Sequence, residues 1–179
     1  RINGGCLRGR TVRCPDGVIR PAMDKVREAV FAILGDLSDK AFLDAFSGSG
    51  IIALEAASRG AARVELVEND RVKINTVLKN AALAGRTSAG RIQCHFVAAE
   101  LFLKRCKTAF DLIFFDPPFL YGFHRELIQT VSDRRLLNVG GTALIHRPSE
   151  KPLPDVIGRL ALTDRRKYGR SVVDFYRAE

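Results

Sequence analysis

The chain has 179 residues, 46% of them hydrophobic, which is enough for one soluble globular domain with a sizeable core. Lysine and arginine outnumber aspartate and glutamate by 29 to 20, so a net charge of +9 favours polyanionic partners such as nucleic acid. No apolar run is long enough for a membrane span, and the start RINGGCLRGR lacks the apolar core of a signal peptide, so we expect a cytoplasmic protein.

Cysteine and histidine are too scattered for a metal site. The chain has four cysteines and three histidines, and no CxxC pair occurs among them. A zinc site or a disulfide framework would need closer spacing. We therefore expect no metal and reduced thiols.

The N-terminal region is strongly basic. Seven cations fall in the first 27 residues: Arg1, Arg8, Arg10, Arg13, Arg20, Lys25 and Arg27. The Pro-Asp-Gly turn at 15–17 lies between short β-prone runs and predicts a hairpin, and Asp24 is expected to cap the helix that follows. We interpret residues 1–36 as a basic extension in front of a main domain over 37–179.

From about residue 40 onward, apolar strands alternate with helical patterns. The predicted strands cover 41–46, 63–68, 91–97, 110–115 and 141–146, and the predicted helices cover 51–59, 70–85, 99–106 and roughly 124–135. This alternation predicts an α/β fold with a mostly parallel sheet covered by helices on both faces. Two antiparallel strands joined around 164–170 are expected at the C-terminal end.

A glycine-rich segment follows the first strand. It reads D44-A-F-S-G-S-G50, and glycines there let the backbone turn tightly and approach a ligand beside a helix N-terminus. In a parallel sheet this position is where ligands bind. The signal is weak alone, because G48-S-G-I-I-A53 also fits the form used by dinucleotide enzymes.

Glu68 ends the second strand, 24 residues after Asp44. An acid at this place can accept hydrogen bonds from both ribose hydroxyls of an adenosine cofactor. Nicotinamide cofactors and S-adenosylmethionine fit equally well at this point. The alternative is that Glu68 only helps to cap the helix at Asp70.

The segment D116-P-P-F119 follows the strand FDLIFF. Proline has no N–H, so the backbone offers carbonyl acceptors while Asp116 supplies a carboxylate. Such a site suits an amine that donates two N–H bonds, and Phe119 offers a face on which a base can stack. Hydride transfer to nicotinamide has no use for this arrangement.

These motifs resemble class I S-adenosylmethionine-dependent methyltransferases that act on planar amines. The pieces R1-I-N-G-G5, R8-G-R10 and R20-P-x-x-D24-K-V-R-E28 are similar to the RsmD-type family. Members of that family are bacterial enzymes that methylate the N2 amine of a guanine in small-subunit (16S) ribosomal RNA. The resemblance covers nearly the whole chain.

The resemblance implies a Rossmann-like fold with a seven-stranded sheet, S-adenosylmethionine as cofactor, no metal and a monomer acting on ribosomal RNA or an assembling small subunit. It assigns the amine site to Asp116, Pro117, Pro118 and Phe119. It assigns the cofactor site to Asp44, Phe46, Gly48, Ser49, Gly50, Glu68, Asn69, Ala98 and Ala99, the last two through backbone N–H groups. The RNA contacts it implies, together with the basic clusters, are Arg8, Arg10, Arg20, Arg27, Arg165, Arg166, Lys167 and Arg170.

Three alternatives remain at this stage. Another amine methyltransferase of the same fold, acting on adenine in DNA or on a protein glutamine, shares the logic of the Asp116 motif. A nicotinamide-dependent oxidoreductase shares the glycine-rich segment and Glu68. A non-catalytic RNA-binding assembly factor would keep the fold, although an intact D116-P-P-F119 segment argues against a decayed site.

Overall fold

A computed structural model describes residues 1–15 and 21–179 of the chain. The strands are β1 (Ala41–Asp44), β2 (Arg63–Val67), β3 (Ile92–His95), β4 (Phe110–Phe115), β5 (Leu137–Pro148), β6 (Val156–Ile157), β7 (Leu160–Tyr168) and β8 (Ser171–Ala178). The α-helices are α1 (Pro21–Leu34), α2 (Ile51–Ser58), α3 (Ile74–Ala81), α4 (Ala99–Arg105) and α5 (His124–Asp133). None of the helices in these two ranges has the length and apolarity needed to cross a bilayer.

The described strands form one sheet in the order β3-β2-β1-β4-β5-β8-β7-β6. The pairs from β3 to β5 are parallel, and those from β5 to β6 are antiparallel. The predicted α/β architecture and C-terminal antiparallel hairpin are confirmed. The sheet has eight strands rather than the expected seven, because the two-residue β6 adds an edge that is too short to give a periodic signal.

Alternate side chains of β4 enter two separate cores. Leu112 and Phe114 pack in the cluster that holds the buried residues of α2, whereas Ile113 and Phe115 pack in the cluster that holds those of α5. Because helices cover both faces, the central strand is continuously apolar from Leu112 to Phe115 rather than in alternation. This is why FDLIFF is recognisable as a buried strand.

The N-terminal region differs from the prediction in two ways. Residues 1–15 contain no strand, and their backbone bonds form turns such as Arg10 N–H to the Leu7 carbonyl; the predicted turn at 15–17 lies mostly outside the described residues. Asp24 does not cap α1, which begins at Pro21, so that Asp24 lies within the first turn. Proline is favoured at a helix start because it has no backbone N–H to leave unpaired.

A buried carboxylate fastens this region to α2. Glu55 is fully buried and accepts hydrogen bonds from the backbone N–H groups of Asn3 and Gly4 and from Arg59 Nε at 3.0 Å. Arg27 Nε lies 3.7 Å from the same carboxylate. The first residues of the chain therefore complete the partners of a charge that would be costly to bury alone.

Gly5 makes a tight contact that we expect to be intolerant of a side chain. Its φ is +76°, and a Cβ there would lie 1.8 Å from the Ser58 carbonyl oxygen. Gly5→Ala should therefore release the N-terminal residues from α2, and trypsin should cleave faster after Arg8 and Arg10. Gly9→Ala is the matched control, because its φ is +83° but no atom lies within 4 Å of the added Cβ. Equal cleavage rates in the two variants would contradict this expectation.

Candidate active site

A cleft of about 880 Å³ opens at the carboxyl ends of β1 and β4, where the strand order of the sheet reverses. This is the position at which open α/β sheets bind ligands. It brings together ten of the predicted amine-site and cofactor-site residues: Phe46, Gly48, Ser49, Glu68, Asn69, Ala98, Ala99, Asp116, Pro117 and Pro118. Three others, Asp44, Gly50 and Phe119, are not part of its lining.

The glycine-rich loop is held in place by Glu68. Its Oε1 accepts the Gly48 N–H at 2.7 Å, and its Oε2 accepts the Asp70 N–H at 2.8 Å. Gly50, with a φ of +87°, then turns the chain into α2, a conformation that favours glycine. Glu68 thus lines the cleft and also supports the turn at Asp70, while its role with ribose hydroxyls stays a prediction.

Asp44 lies behind the loop. Its side chain is fully buried, and Oδ2 accepts hydrogen bonds from the Ser47 hydroxyl at 2.9 Å and the Ala53 N–H at 3.2 Å. Oδ1 has no partner among the described residues. Burial raises the pKa of this carboxyl from 3.8 to about 7. Asp44 thus supports the loop from below, while its predicted role in cofactor binding stays a prediction.

Asp116 follows β4 and faces the cleft with part of its carboxylate. Oδ1 lies 3.0 Å from His146 Nδ1. Pro117 is buried and Pro118 is exposed, while Phe119 stands at the rim with 61% of its surface exposed. An exposed aromatic ring beside an acceptor-lined cleft is suited to stacking on a planar ligand.

The loop after Phe119 adds a residue that the sequence did not indicate. Tyr121 lines the cleft, donates a hydrogen bond to Glu100 and packs edge-on against Phe46, with the ring centroids 5.4 Å apart. Burial, followed by the contact with Glu100, raises the pKa of Tyr121 well above its usual value. The tyrosine therefore remains neutral. Through Phe46 and Glu100 it joins its own segment after β4 to the segments that follow β1 and β3.

The loop after β3 contributes Ala98 and Ala99 to the cleft. Ala98 precedes α4 with an extended backbone and makes no side-chain cap, so it leaves the first N–H groups of the helix without a capping partner from that residue. Such groups are donors available to a ligand acceptor. This geometry fits the expected use of backbone N–H groups here, while the role itself stays a prediction.

The N-terminal residues form one wall of the cleft, which the sequence did not indicate. Val12, Cys14 and Pro15 line it. The buried Asn80 holds them there, because it exchanges two hydrogen bonds with the Arg13 backbone, at 2.9 and 2.8 Å, and donates a third to the Ser49 carbonyl at 2.7 Å. One side chain thus fastens the N-terminal wall to the glycine-rich loop.

Several predicted RNA contacts are occupied by internal ion pairs. Arg27 is 4% exposed and pairs with Asp24 at 2.9 Å, so its guanidinium is engaged within the protein, and its contact with RNA stays a prediction. Arg165 Nε is bonded to the buried Asp174 at 2.7 Å, and Arg166 Nε is bonded to Asp164 at 2.9 Å. The Arg165–Asp174 pair joins β7 to β8, and the Arg166–Asp164 pair lies within β7. Both pairs leave the guanidinium groups of Arg165 and Arg166 less free to reach a phosphate.

The remaining basic residues are exposed. Lys167 and Arg170 flank the β7–β8 turn. Ser171, at the start of β8, pairs with Pro148 at the end of β5, so this turn lies at the same edge of the sheet as the opening of the cleft. Arg8 and Arg10 are also exposed, but the Gly5–Arg8 turn contacts Ser58 at the far end of α2. Arg20 lies outside the described residues. Within 1–15 and 21–179, no group of three or more Cys, His, Asp or Glu side chains could hold a metal ion.

Comparison with known proteins identifies the family. The sequence model of a family described as conserved hypothetical protein 95 matches residues 1–177. Ribosomal RNA small subunit methyltransferase D of Escherichia coli K12 is 34% identical over 181 residues, which cover 100% of this chain and 90% of the relative. The chain belongs to the RsmD-type methyltransferase family. A Haemophilus influenzae protein of the same name is 29% identical over 86% of this chain and 81% of its own length.

Solved structures agree with the RsmD-type assignment. The Escherichia coli protein YhhF has a TM-score of 0.88 and 33% identity, with 100% of this chain and 97% of that chain covered. A more distant methyltransferase structure, in complex with S-adenosylhomocysteine, has a TM-score of 0.73 and 16% identity over 91% of this chain and 52% of its own. The resemblance and the methyltransferase fold predicted from the sequence are confirmed, and the nicotinamide-dependent alternative falls away.

The raised pKa of Asp44 has a measurable consequence for stability. Because the folded state holds this proton more tightly than the unfolded state, the contribution of Asp44 to the free energy of unfolding is lost as pH rises from about 4 towards about 7. Asp44→Asn cannot ionise, so its stability relative to the parent should improve between pH 5 and pH 8. Urea unfolding at both pH values measures this, and a difference that does not change with pH would argue against it.

Proposed function

We propose that this protein transfers a methyl group from S-adenosylmethionine to the exocyclic N2 amine of a guanine in small-subunit (16S) ribosomal RNA. The observation that carries the proposal is the meeting of two motifs in one cleft. The acceptor tip formed by Asp116, Pro117 and Pro118 faces the same space as the glycine-rich loop and Glu68. The name of the Escherichia coli relative supports small-subunit ribosomal RNA as the substrate class.

The cleft fits S-adenosylmethionine in shape and charge. A Cβ at Gly48 would meet no atom within 4 Å, so the loop leaves open space beside the helix N-terminus. Glu68 would accept ribose hydroxyls, and the N–H groups at Ala98 and Ala99 would donate to an adenine ring, because all three residues line the cleft. When bound, the cofactor supplies an electrophilic methyl group. The acidic side chains Glu68, Glu100 and Asp116 suit its cationic sulfonium.

The residues after β4 would prepare the amine. Its lone pair is delocalised into the guanine ring, so it is a poor nucleophile. Acceptance of its two hydrogens by the Asp116 carboxylate and the Pro117 carbonyl would favour a tetrahedral nitrogen with the lone pair turned to the methyl group. As the methyl carbon bonds to this nitrogen, its bond to the sulfonium sulfur would break and leave the thioether of S-adenosylhomocysteine, and the nitrogen would lose one proton to solvent. Positioning and hydrogen bonding would supply the rate, without a metal or a covalent enzyme intermediate.

The target base has to leave its stack or pair to reach this cleft. Phe119, which is exposed and follows the lining residue Pro118, would stack on it. Lys167 and Arg170, at the same edge of the sheet, and Arg10 in the N-terminal extension would bind the phosphates around it. Residues 1–36 would then act as an RNA-binding extension of the methyltransferase domain over 37–179.

Replacement of Asp116 tests the chemistry. Asp116→Ala should leave the fold and cofactor affinity nearly intact and reduce turnover by about two orders of magnitude or more, because a contact made in the transition state is lost. Asp116→Asn keeps one acceptor and should lose less. The measurement is single-turnover methyl transfer to small-subunit ribosomal RNA, or to an assembling small subunit, with saturating cofactor.

Two controls sharpen that experiment. Asp133→Ala removes an exposed acid at the end of α5 and should leave the rate unchanged. Glu68→Ala should instead weaken S-adenosylmethionine binding, measured by calorimetry, by about 1.5 to 3 kcal/mol. Methyl transfer by Asp116→Ala at the parental rate would remove the proposed function. Preferred methylation of naked DNA or of a protein glutamine would favour one of the other amine methyltransferases.

Charge reversal tests the RNA surface. Lys167→Glu, Arg170→Glu and Arg10→Glu should each weaken RNA binding and lower the slope of log affinity against log salt by about one unit per lost phosphate contact. Lys107→Glu is the matched control, because it is exposed before β4, at the opposite edge of the sheet. Cofactor affinity should not change. Identical salt slopes in all four variants would show that these cations are only a solvated surface.

A further inference from the structure

His146 has no part in the proposed chemistry so far, yet it lies directly behind Asp116. Asp116 comes directly after Phe115 of β4, and His146 comes directly after Ile145 of β5. Phe115 and Ile145 are aligned in this parallel pair of strands, so Asp116 and His146 lie side by side. His146 Nδ1 is 3.0 Å from Asp116 Oδ1, and the histidine side chain is 11% exposed. A buried ring at this distance from a carboxylate restricts which way the carboxylate can turn.

The direction of this hydrogen bond follows from the groups involved. An ionised carboxylate has only acceptors, so the hydrogen has to be on His146 Nδ1. With the hydrogen on Nδ1, the ring accepts at Nε2, so the Ser171 hydroxyl at 2.7 Å donates its one hydrogen there rather than to the Tyr168 carbonyl at 3.1 Å. The imidazole ring is therefore fixed at both nitrogens, between β4 and the β7–β8 turn.

The second carboxylate oxygen of Asp116 is the one left for a ligand. Asp116 Oδ2 accepts no hydrogen bond from any residue in the described part of the chain, and Asp116 lines the cleft. We propose that His146 is a positioning residue, which holds Oδ1 so that Oδ2 stays turned towards the substrate amine. This inference rests on the proposed function of Asp116.

The anchor of His146 lies in the exposed basic turn. Ser171 begins β8 directly after Arg170, and Lys167 precedes the turn on β7. A phosphate bound at this turn would therefore be connected to Asp116 by two hydrogen bonds, one between Ser171 and His146 and one between His146 and Asp116. The arrangement connects the predicted RNA surface with the acid through Ser171 and His146.

Three substitutions separate a hydrogen bond from simple packing. In asparagine the amide nitrogen is bonded to Cγ, as Nδ1 is in histidine, whereas in glutamine it lies one bond further out, as Nε2 does. His146→Asn can therefore still donate to Asp116, while His146→Gln can satisfy only Ser171 and His146→Phe neither. We expect His146→Phe and His146→Gln to slow single-turnover methyl transfer about tenfold to a hundredfold, and His146→Asn to retain most of the rate.

Cofactor affinity and RNA affinity should stay at parental values in all three variants, so that the loss appears in the rate constant alone. In an Asp116→Ala background, His146→Phe should slow the reaction no further, because the residue acts through Asp116. Equal rates for the asparagine and glutamine variants, or an added loss in the double variant, would overturn the inference.

A spectroscopic measurement is independent of activity. With only three histidines in the chain, ¹⁵N-labelled imidazole signals can be assigned by the loss of one set in His146→Asn. His146 should carry its hydrogen on Nδ1 in the parent, and its signals should shift in Asp116→Ala. If Asp116→Ala is inactive but His146→Phe is not, only this inference fails. If Asp116→Ala is fully active, the proposed function fails with it.

Discussion

The structure depends on the way in which the chain leaves two neighbouring parallel strands. After β1 it enters α2, which packs in one core, and after β4 it enters α5, which packs in the other. The segments that follow the two strands therefore part and leave a crevice between them. Asp44 ends β1 and Asp116 follows β4, so the loop support and the acceptor tip lie on either side of the same opening. The remaining loops add walls to a cleft that the topology has already made.

Most of the sheet was predictable because its strands are apolar runs separated by helical patterns. The exceptions have local causes. β5 begins at Leu137 rather than 141, where Gly140 and Gly141 interrupt the apolar pattern and the pairing with β4 shifts register. The run before the predicted turn at 15–17 was expected to pair as a strand, but its buried Val12 packs in the main core and the Arg13 backbone bonds to Asn80. A preference for strand was outweighed there by a tertiary contact.

The site was predictable only where its chemistry lies in a continuous segment. The loop at Gly48, the acid at Glu68 and the tip at Asp116 each occur at a strand end, and the parallel sheet collects them. His146, Tyr121 and Asn80 act through partners far away in the sequence, and no spacing signals them. The same reason explains why the ion pairs were not foreseen: Arg27 and Arg165 are cations in basic segments, but Asp24, Glu55 and Asp174 pair with them in the fold.

The contacts of Glu55 limit how freely the N-terminal extension can be exchanged. This fully buried carboxylate belongs to α2, yet Asn3 and Gly4 supply backbone donors to it. Breaking the set of partners around a buried charge costs about 3 to 5 kcal/mol, a large share of the stability of a domain. An extension transplanted from a relative would therefore have to reproduce the same main-chain path against α2. The N-terminal extension is therefore not a detachable module, and its evolution is tied to one residue of the core.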